Sequence, residues 1–371
     1  MKSSLLSVGL ALASGAIAWK EVSSCDEIQY SSVPGVFLQD DPKTDPSNFD
    51  YANWNFGLIN RTYPSDAHFD PHHKKTQWQR FANYVDSLNH ECGKDAQVNY
   101  KVLFMGRHGE GWHNTAESYY GTPAWNCYWA ELDGNGTSVW ADAQLTPNGV
   151  AQAQKANAYY KSRFEKEKLP YFQSYYSSPL KRCIQTANYT FASLNLPHSH
   201  PFKPVIKELF REDISIHTCD RRSTKTQIHA FAPNFQFEEG FSETDLLWRG
   251  DQDQGETSAH QAARSKIALD DVFSHDDNTW ISLSSHSGEI GSILSVLNHR
   301  SFSLSTGQII PVLVKAELVE PTVATTTYAS FTSEPTCKSP PVTSISGQGC
   351  VCASATTTTF TTATATPGCS I

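Results

Sequence analysis

Clustered Lys and Arg are missing from this chain of 371 residues, whose 29 basic side chains are outnumbered by 38 acidic ones for a formal net charge of −9. Binding nucleic acid requires basic clusters to neutralise phosphates, so no nucleic-acid partner is expected. No CxxC pair with zinc-ligand spacing occurs, which removes the structural-zinc classes. Beyond residue 18 no segment is apolar enough to cross a bilayer as a helix, so no membrane partner is expected. The close, Gly368-Cys369-Ser370-Ile371, has no hydrophobic stretch of the kind a lipid-anchor signal needs. No internal repeat is visible, which sets aside solenoids and arrays. Nothing in the sequence implies a partner protein.

What is present begins with a leader-like start. Lys2 precedes an apolar stretch from Leu5 to Ala18, and Ala16-Ile17-Ala18 has the small-x-small form of a signal peptidase site. That stretch is shorter than the roughly 20 residues a spanning helix needs. Residues 1–18 are expected to be a secretory signal, and the protein to be secreted, either extracellular or associated with the cell wall. Sequons at Asn60, Asn135 and Asn188 fit a glycoprotein. Nine cysteines suit an oxidising compartment, and the odd number leaves one thiol expected free.

The remaining chain divides by composition. Residues 19–98 are rich in Asp, Asn, Pro and aromatics, with one helix expected near Thr76–His90. They read as an extension packed on a main domain at 99–321. From Thr322 to residue 371 the composition turns to Thr, Ser, Ala and Pro, as in an O-glycosylated stalk. The tail's four cysteines leave a small stapled knot as the alternative.

Within 99–321 apolar runs alternate with helical patterns. Val102–Met105, Tyr171–Tyr176, Val205–Leu209 and Trp280–Leu283 read as strands. Helices are expected from Pro147 to about Phe164, capped by Thr146, and at Leu180–Phe191, Gln261–Phe273 and Ile290–Leu297. Such alternation predicts an α/β protein: a three-layer α/β/α sandwich around a mostly parallel sheet. The segment from about 214 to 256 is expected to be an inserted cap, with Glu256 capping the helix after it. Arg221, Arg222 and Lys225 would give the cap a basic patch for a second anionic group, or else a solvated loop.

Ligands of open α/β sheets bind beyond the carboxyl ends of the strands. Four such ends here carry groups suited to phosphate: Arg107 and His108, Arg182 in Ser177–Arg182, Glu212 after Arg211, and His286 in Ser284–Gly288. Arg107 and Arg182 can give forked hydrogen bonds to equatorial oxygens, and His286 adds a donor. A neutral His108 can attack phosphorus, and Glu212 can protonate the leaving alkoxide. Glu208 and Asp213 remain candidates for that acid. With cations built in, the chemistry requires neither metal nor cofactor, and the expected partner is a small-molecule phosphate ester.

These residues resemble the histidine phosphatase superfamily in its phosphoglycerate mutase-like branch. The likeness covers Arg107–Asn114, Leu145–Ala153, Ser177–Ala187 and Ser285–Gly288, in order, with Ser287 where Gly is commoner. It implies His108 as nucleophile, and Arg107, Arg182, His286 and Asn114 around the phosphate. The stretch after the third strand, Glu212–Ser223, departs from the mutases' Glu-Arg-x-Tyr-Gly pattern. His217–Ser223 is similar to a fungal secreted phosphomutase-like subgroup that behaves more as phosphatases. Three functions follow: a phosphatase of small phosphomonoesters, a phosphomutase, and a catalytically idle surface protein, the last disfavoured by the intact site residues.

Overall fold

The computed structural model describes residues 27–92, 97–321, 329–345 and 349–353. The expected signal at 1–18 lies outside the described residues. The chain opens with β1 (Glu27–Ser32), then α1 (Asp66–Phe69) and α2 (Gln77–Cys92). Next come β2 (Val98–Arg107), α3 (Trp112–Tyr120), α4 (Thr122–Cys127) and α5 (Pro147–Ser162). β3 (Ser174–Ser177) leads to α6 (Lys181–Phe191), and β4 (Val205–Ile206) to α7 (Lys225–Phe231). After β5 (Gln236–Phe237) and β6 (Gln254–Glu256) come α8 (Ser258–His275), β7 (Trp280–Ser285), α9 (Ser287–Val296) and β8 (Ile309–Val319). β9 (Phe331–Ser333), β10 (Thr343–Ile345) and β11 (Gly349–Val351) complete the described elements.

The central sheet runs β1-β8-β2-β7-β3-β4-β5. From β2 through β7, β3 and β4 to β5 every pairing is parallel. β8 is antiparallel to both β1 and β2. All six residues of β7 are buried, as a strand covered on both faces requires. Side chains alternate across a strand, and β2 uses this to separate the layers. Phe104 meets Trp78 of α2 and Tyr160 of α5. Lys101, of opposite parity, lies over Phe273 of α8 and donates to Asn278 O at 2.8 Å. The expected mostly parallel α/β sandwich is therefore what forms.

Several expectations need correction. Of the expected extension at 19–98, the described residues do more than pack on the domain: β1 enters the sheet, and Phe37, Phe56, Trp78 and Phe81 belong to the main core. β4 is only two residues long because the chain turns at Glu208–Phe210. The 214–256 segment is stitched into the fold, since β5 extends the central sheet and β6 pairs with β9. The helix after it is capped by Thr257, which accepts from His260 N, while Glu256 pairs with Arg264 at 2.9 Å.

The tail is folded wherever it is described. β9 joins β6, β10 pairs with β11, and disulfides link Cys127 to Cys350 and Cys337 to Cys352. Two thiols, not one, are free among the described residues: Cys183 and Cys219, both buried. Asn60, Asn135 and Asn188 are all exposed.

Candidate active site

Parallel pairing brings four carboxyl ends to one edge. Arg107 lies opposite Ser285, and Ser177 opposite both Ser284 and Ile206. One residue further on stand His108, His286 and Ser178.

The turn after β2 packs tightly on the start of α5. A Cβ on Gly109 would lie 2.4 Å from Gly149 O, so only glycine fits. Gly109 N donates to Thr186 Oγ1 at 2.9 Å. Thr146 accepts from Gly149 N at 3.1 Å, capping α5, and donates to Glu110 Oε1 at 2.6 Å.

His108 is 1% exposed, and its Nδ1 lies 2.7 Å from Gly109 O. A carbonyl only accepts, so Nδ1 carries the proton and Nε2 keeps a lone pair. Burial first, then the charges of Arg182 and Arg107, hold its pKa well below the usual histidine value. The ring stands 5.1 Å from that of His286 and 5.3 Å from that of His113, which is also buried.

Arg182 organises the opposite side. Its Nε donates to His286 Nδ1 at 3.2 Å, Nη1 to Cys219 O at 2.6 Å and Nη2 to Asp220 Oδ1 at 2.7 Å. His286 Nδ1 is thus an acceptor, and its Nε2–H is left to donate to Ser178 Oγ at 2.8 Å. Burial and then Arg182 keep His286 neutral as well. Desolvation, the largest influence, would lower the Arg182 pKa, but the charge of Asp220 together with smaller contributions from Cys219, Cys183 and the Asp220 hydrogen bond raises it on balance. Arg107 donates to Leu304 O at 2.7 Å through Nη1, while its buried Nε has no partner among the described residues.

Glu212 sits at the start of α9, accepting from Gly288 N at 3.2 Å and Glu289 N at 3.0 Å. A Cβ on Gly288 would fall 2.2 Å from Glu212 Oε1, so the glycine of Ser285–Gly288 makes room for this carboxylate. Burial, then Asp220, push its pKa up against the opposing pull of Gly288 N–H, Arg182 and Arg107. Asp213 is pushed up further, by burial and by Glu212. Glu208 lies in the turn Glu208–Phe210 and not in the expected strand. It pairs with Arg211 at 3.0 Å and Arg222 at 2.7 Å. Of the acid candidates, Glu212 is the one held at the helix start facing Arg107 and Arg182.

Other expected residues take other places. Asn114 Oδ1 accepts from Gly111 N at 2.9 Å, closing the first turn of α3. Arg222 is buried, with Nε on Glu208 and Nη2 on Ser242 Oγ at 2.7 Å and Thr244 O at 2.8 Å. It is structural, and the expected basic patch is corrected. Arg221 pairs with Asp133 at 2.6 Å and stacks over Trp248. His217, Cys219 and Asp220 could converge on a cation, since their ligand atoms lie within 4.8 Å of one another, but Arg182 already holds Asp220 and its charge opposes one. The sequence reading missed Asp220 as a partner of Arg182. Its only signal was the rule that a buried arginine needs a carboxylate.

A profile of the histidine phosphatase superfamily (branch 1) matches residues 130–308, a span holding Arg182, Glu212 and His286 and starting after His108. Over 290 residues the chain is 49% identical to a probable phosphoglycerate mutase of Arthroderma benhamiae, covering 78% of this chain and 85% of that protein. It is 37% identical to phosphomutase-like protein 3 of Candida albicans, covering 78% and 81%. A probable phosphoglycerate mutase of Saccharomyces cerevisiae is 31% identical over 262 residues, covering 63% and 88%.

Proposed function

The chain belongs to the histidine phosphatase superfamily, and from that premise we propose that it hydrolyses small phosphomonoesters through a phosphohistidine on His108. The observation that carries the reading is the His108–Gly109 contact, which fixes the proton on Nδ1 and leaves the Nε2 lone pair free. In the first step Nε2 attacks phosphorus, the bond to the ester oxygen breaks, and Glu212 gives its proton to the departing alkoxide. Arg107 and Arg182 take up the charge spread over the equatorial oxygens, and His286 holds Arg182 in place by accepting from its Nε. In the second step Glu212 takes a proton from water, the water oxygen bonds to phosphorus, and the P–N bond breaks. Phosphate leaves, with His108 neutral and Glu212 protonated once more.

Hydrolysis is favoured over mutase chemistry by the state of the nearby cations. A mutase must grip a second anionic group of its substrate while the phosphoryl group changes place. Here Lys181 is shared with Asp142, Arg221 with Asp133, and Arg222 with Glu208. The phosphomutase reading is kept alive by the 49% identity to a probable phosphoglycerate mutase. Export to the cell exterior or wall is part of the proposal, supported by the leader-like start and by two disulfides, which persist in oxidising compartments.

The test is hydrolysis of p-nitrophenyl phosphate by the purified protein and by His108→Ala. Loss of activity in the variant supports the reading, and unchanged activity sinks it. Labelled phosphoryl trapped on His108 and chased into water marks a phosphatase; its return to a metabolite hydroxyl marks a mutase.

A further inference from the structure

The turn at Thr218–Asp220 has no role in the chemistry just described, yet it closes on the phosphate pocket. Asp220 is buried, and its Oδ1 lies 2.7 Å from Arg182 Nη2, in an ion pair with both partners nearly water-free. The neighbouring carbonyl of Cys219 takes Arg182 Nη1. With Nε on His286, the guanidinium is held along three directions, which leaves one N–H on each of Nη1 and Nη2 to spare for a phosphate.

The turn is itself held from several sides. Thr218 Oγ1 donates to Leu132 O at 2.6 Å, and Thr218 O accepts from Asp142 N at 3.1 Å. Arg211 donates to Asp220 O and is chelated by Asp245 at 2.8 Å through each of two nitrogens. A buried arginine gripped this firmly, between a chelating carboxylate and a turn carbonyl, is a support rather than a surface contact.

Resting on the hydrolase reading, we infer that Asp220 is a positioning residue for the reaction: through its buried ion pair it fixes the Arg182 guanidinium and sets the charge balance beside Glu212. The groups facing Glu212 are Asp220, Asp213 and Glu289 on the negative side, Arg182 and Arg107 on the positive, and the Cys183 thiol. Asp220 ranks next after burial in pushing the Glu212 carboxyl up. A merely structural ion pair would hold the turn in place but leave the titration of the acid unmoved.

The experiment follows kcat against pH, from about pH 4 to about pH 9, for wild type, Asp220→Asn and Asp220→Glu. Asparagine keeps an oxygen for Arg182 and removes the charge. Its alkaline limb is expected to move down by about one pH unit, because Glu212 then gives up its proton more easily. Glutamate keeps the charge but misplaces the guanidinium, so its kcat is expected to fall roughly 10- to 100-fold with the limb in place. An asparagine variant with the wild-type limb overturns the inference. So does a glutamate variant with a displaced limb or an undiminished kcat, and this arm decides alone if asparagine prevents folding. A profile is a ratio within one preparation, so partial misfolding does not move it. Failure of the hydrolase reading would appear instead in wild type and His108→Ala.

Discussion

Two residues decide the pH range in which the site works, and they bound it from opposite sides. His108 must be neutral to attack, and burial with two nearby arginines holds its pKa well below the usual value. Glu212 must be protonated to act as acid, and burial with Asp220 raises its pKa. Activity is therefore expected to persist as pH falls below about 6.5, where an ordinary histidine would be charged, and to fall as pH rises through the Glu212 transition. A kcat profile measured with a slow leaving group checks this; a loss on acidification near pH 6.5 with no alkaline limb would reverse the assignment. Gly109 sets a second limit. Gly109→Ala forces a methyl group into the Gly149 carbonyl, so a loss of about 1–3 kcal/mol is expected in denaturant melts, with a fall in kcat as His108 shifts. At this scale the sequence was legible for His108, Arg107, Arg182 and His286, because each follows a strand end or opens a helix in a recognisable motif. It was not legible for Asp220 and Arg222, whose roles depend on which charges meet in the dark interior. Identical residue types there mean pocket in one case and scaffold in the other.

At the scale of elements, the short turn after β4 separates two glutamates that sequence alone leaves as rivals. Glu208 stays at the base of the turn, bracketed by Arg211 and Arg222, while Glu212 reaches the start of α9. Glu208→Gln is expected to cost stability, on the order of 3 kcal/mol, because it strips the charge from a carboxyl pairing with two buried arginines. Its kcat per folded molecule should stay near wild type. Glu212→Gln should do the opposite: little change in melting, and a kcat loss of about 10²- to 10⁴-fold on alkyl phosphates. The loss should shrink for p-nitrophenyl phosphate, whose leaving group needs less protonation. If Glu208→Gln shows the leaving-group-dependent loss instead, the donor has been misassigned. The elements that were legible have a strong local pattern: the Thr146-capped α5, α6, α8, and the apolar strands β2 and β7. β1, β5 and β8 escaped because their places come from partners distant in sequence. β1 pairs with β8 across nearly the whole chain, and no local window carries that information.

For the whole molecule, the segment that composition marked as a stalk is partly fastened to the catalytic body. The Cys127–Cys350 bridge has a sequence separation of 223. For a closed loop of that size, chain entropy alone gives a stabilisation on the order of 5 kcal/mol. That is an upper bound. The described tail residues are held otherwise by the β6–β9 pairing and by hydrogen bonds such as Cys337 N to Cys127 O and Thr257 Oγ1 to Ala329 O, contacts outside the central sheet, so they can detach before that sheet opens. None of the groups assigned to the chemistry lies in the tail. The double variant Cys127→Ser, Cys350→Ser is thus expected to lower Tm by several degrees and to expose the tail to protease, while kcat changes less than about twofold. Parallel thermal melts, limited proteolysis and phosphatase assays would check this. The bridge leaves from α4, which leads into the segment whose Leu132 carbonyl anchors the Thr218–Asp220 turn. A large loss of kcat without a loss of Tm would therefore mean that the tail reaches Arg182 through that turn, and that its fastening tunes catalysis rather than stability.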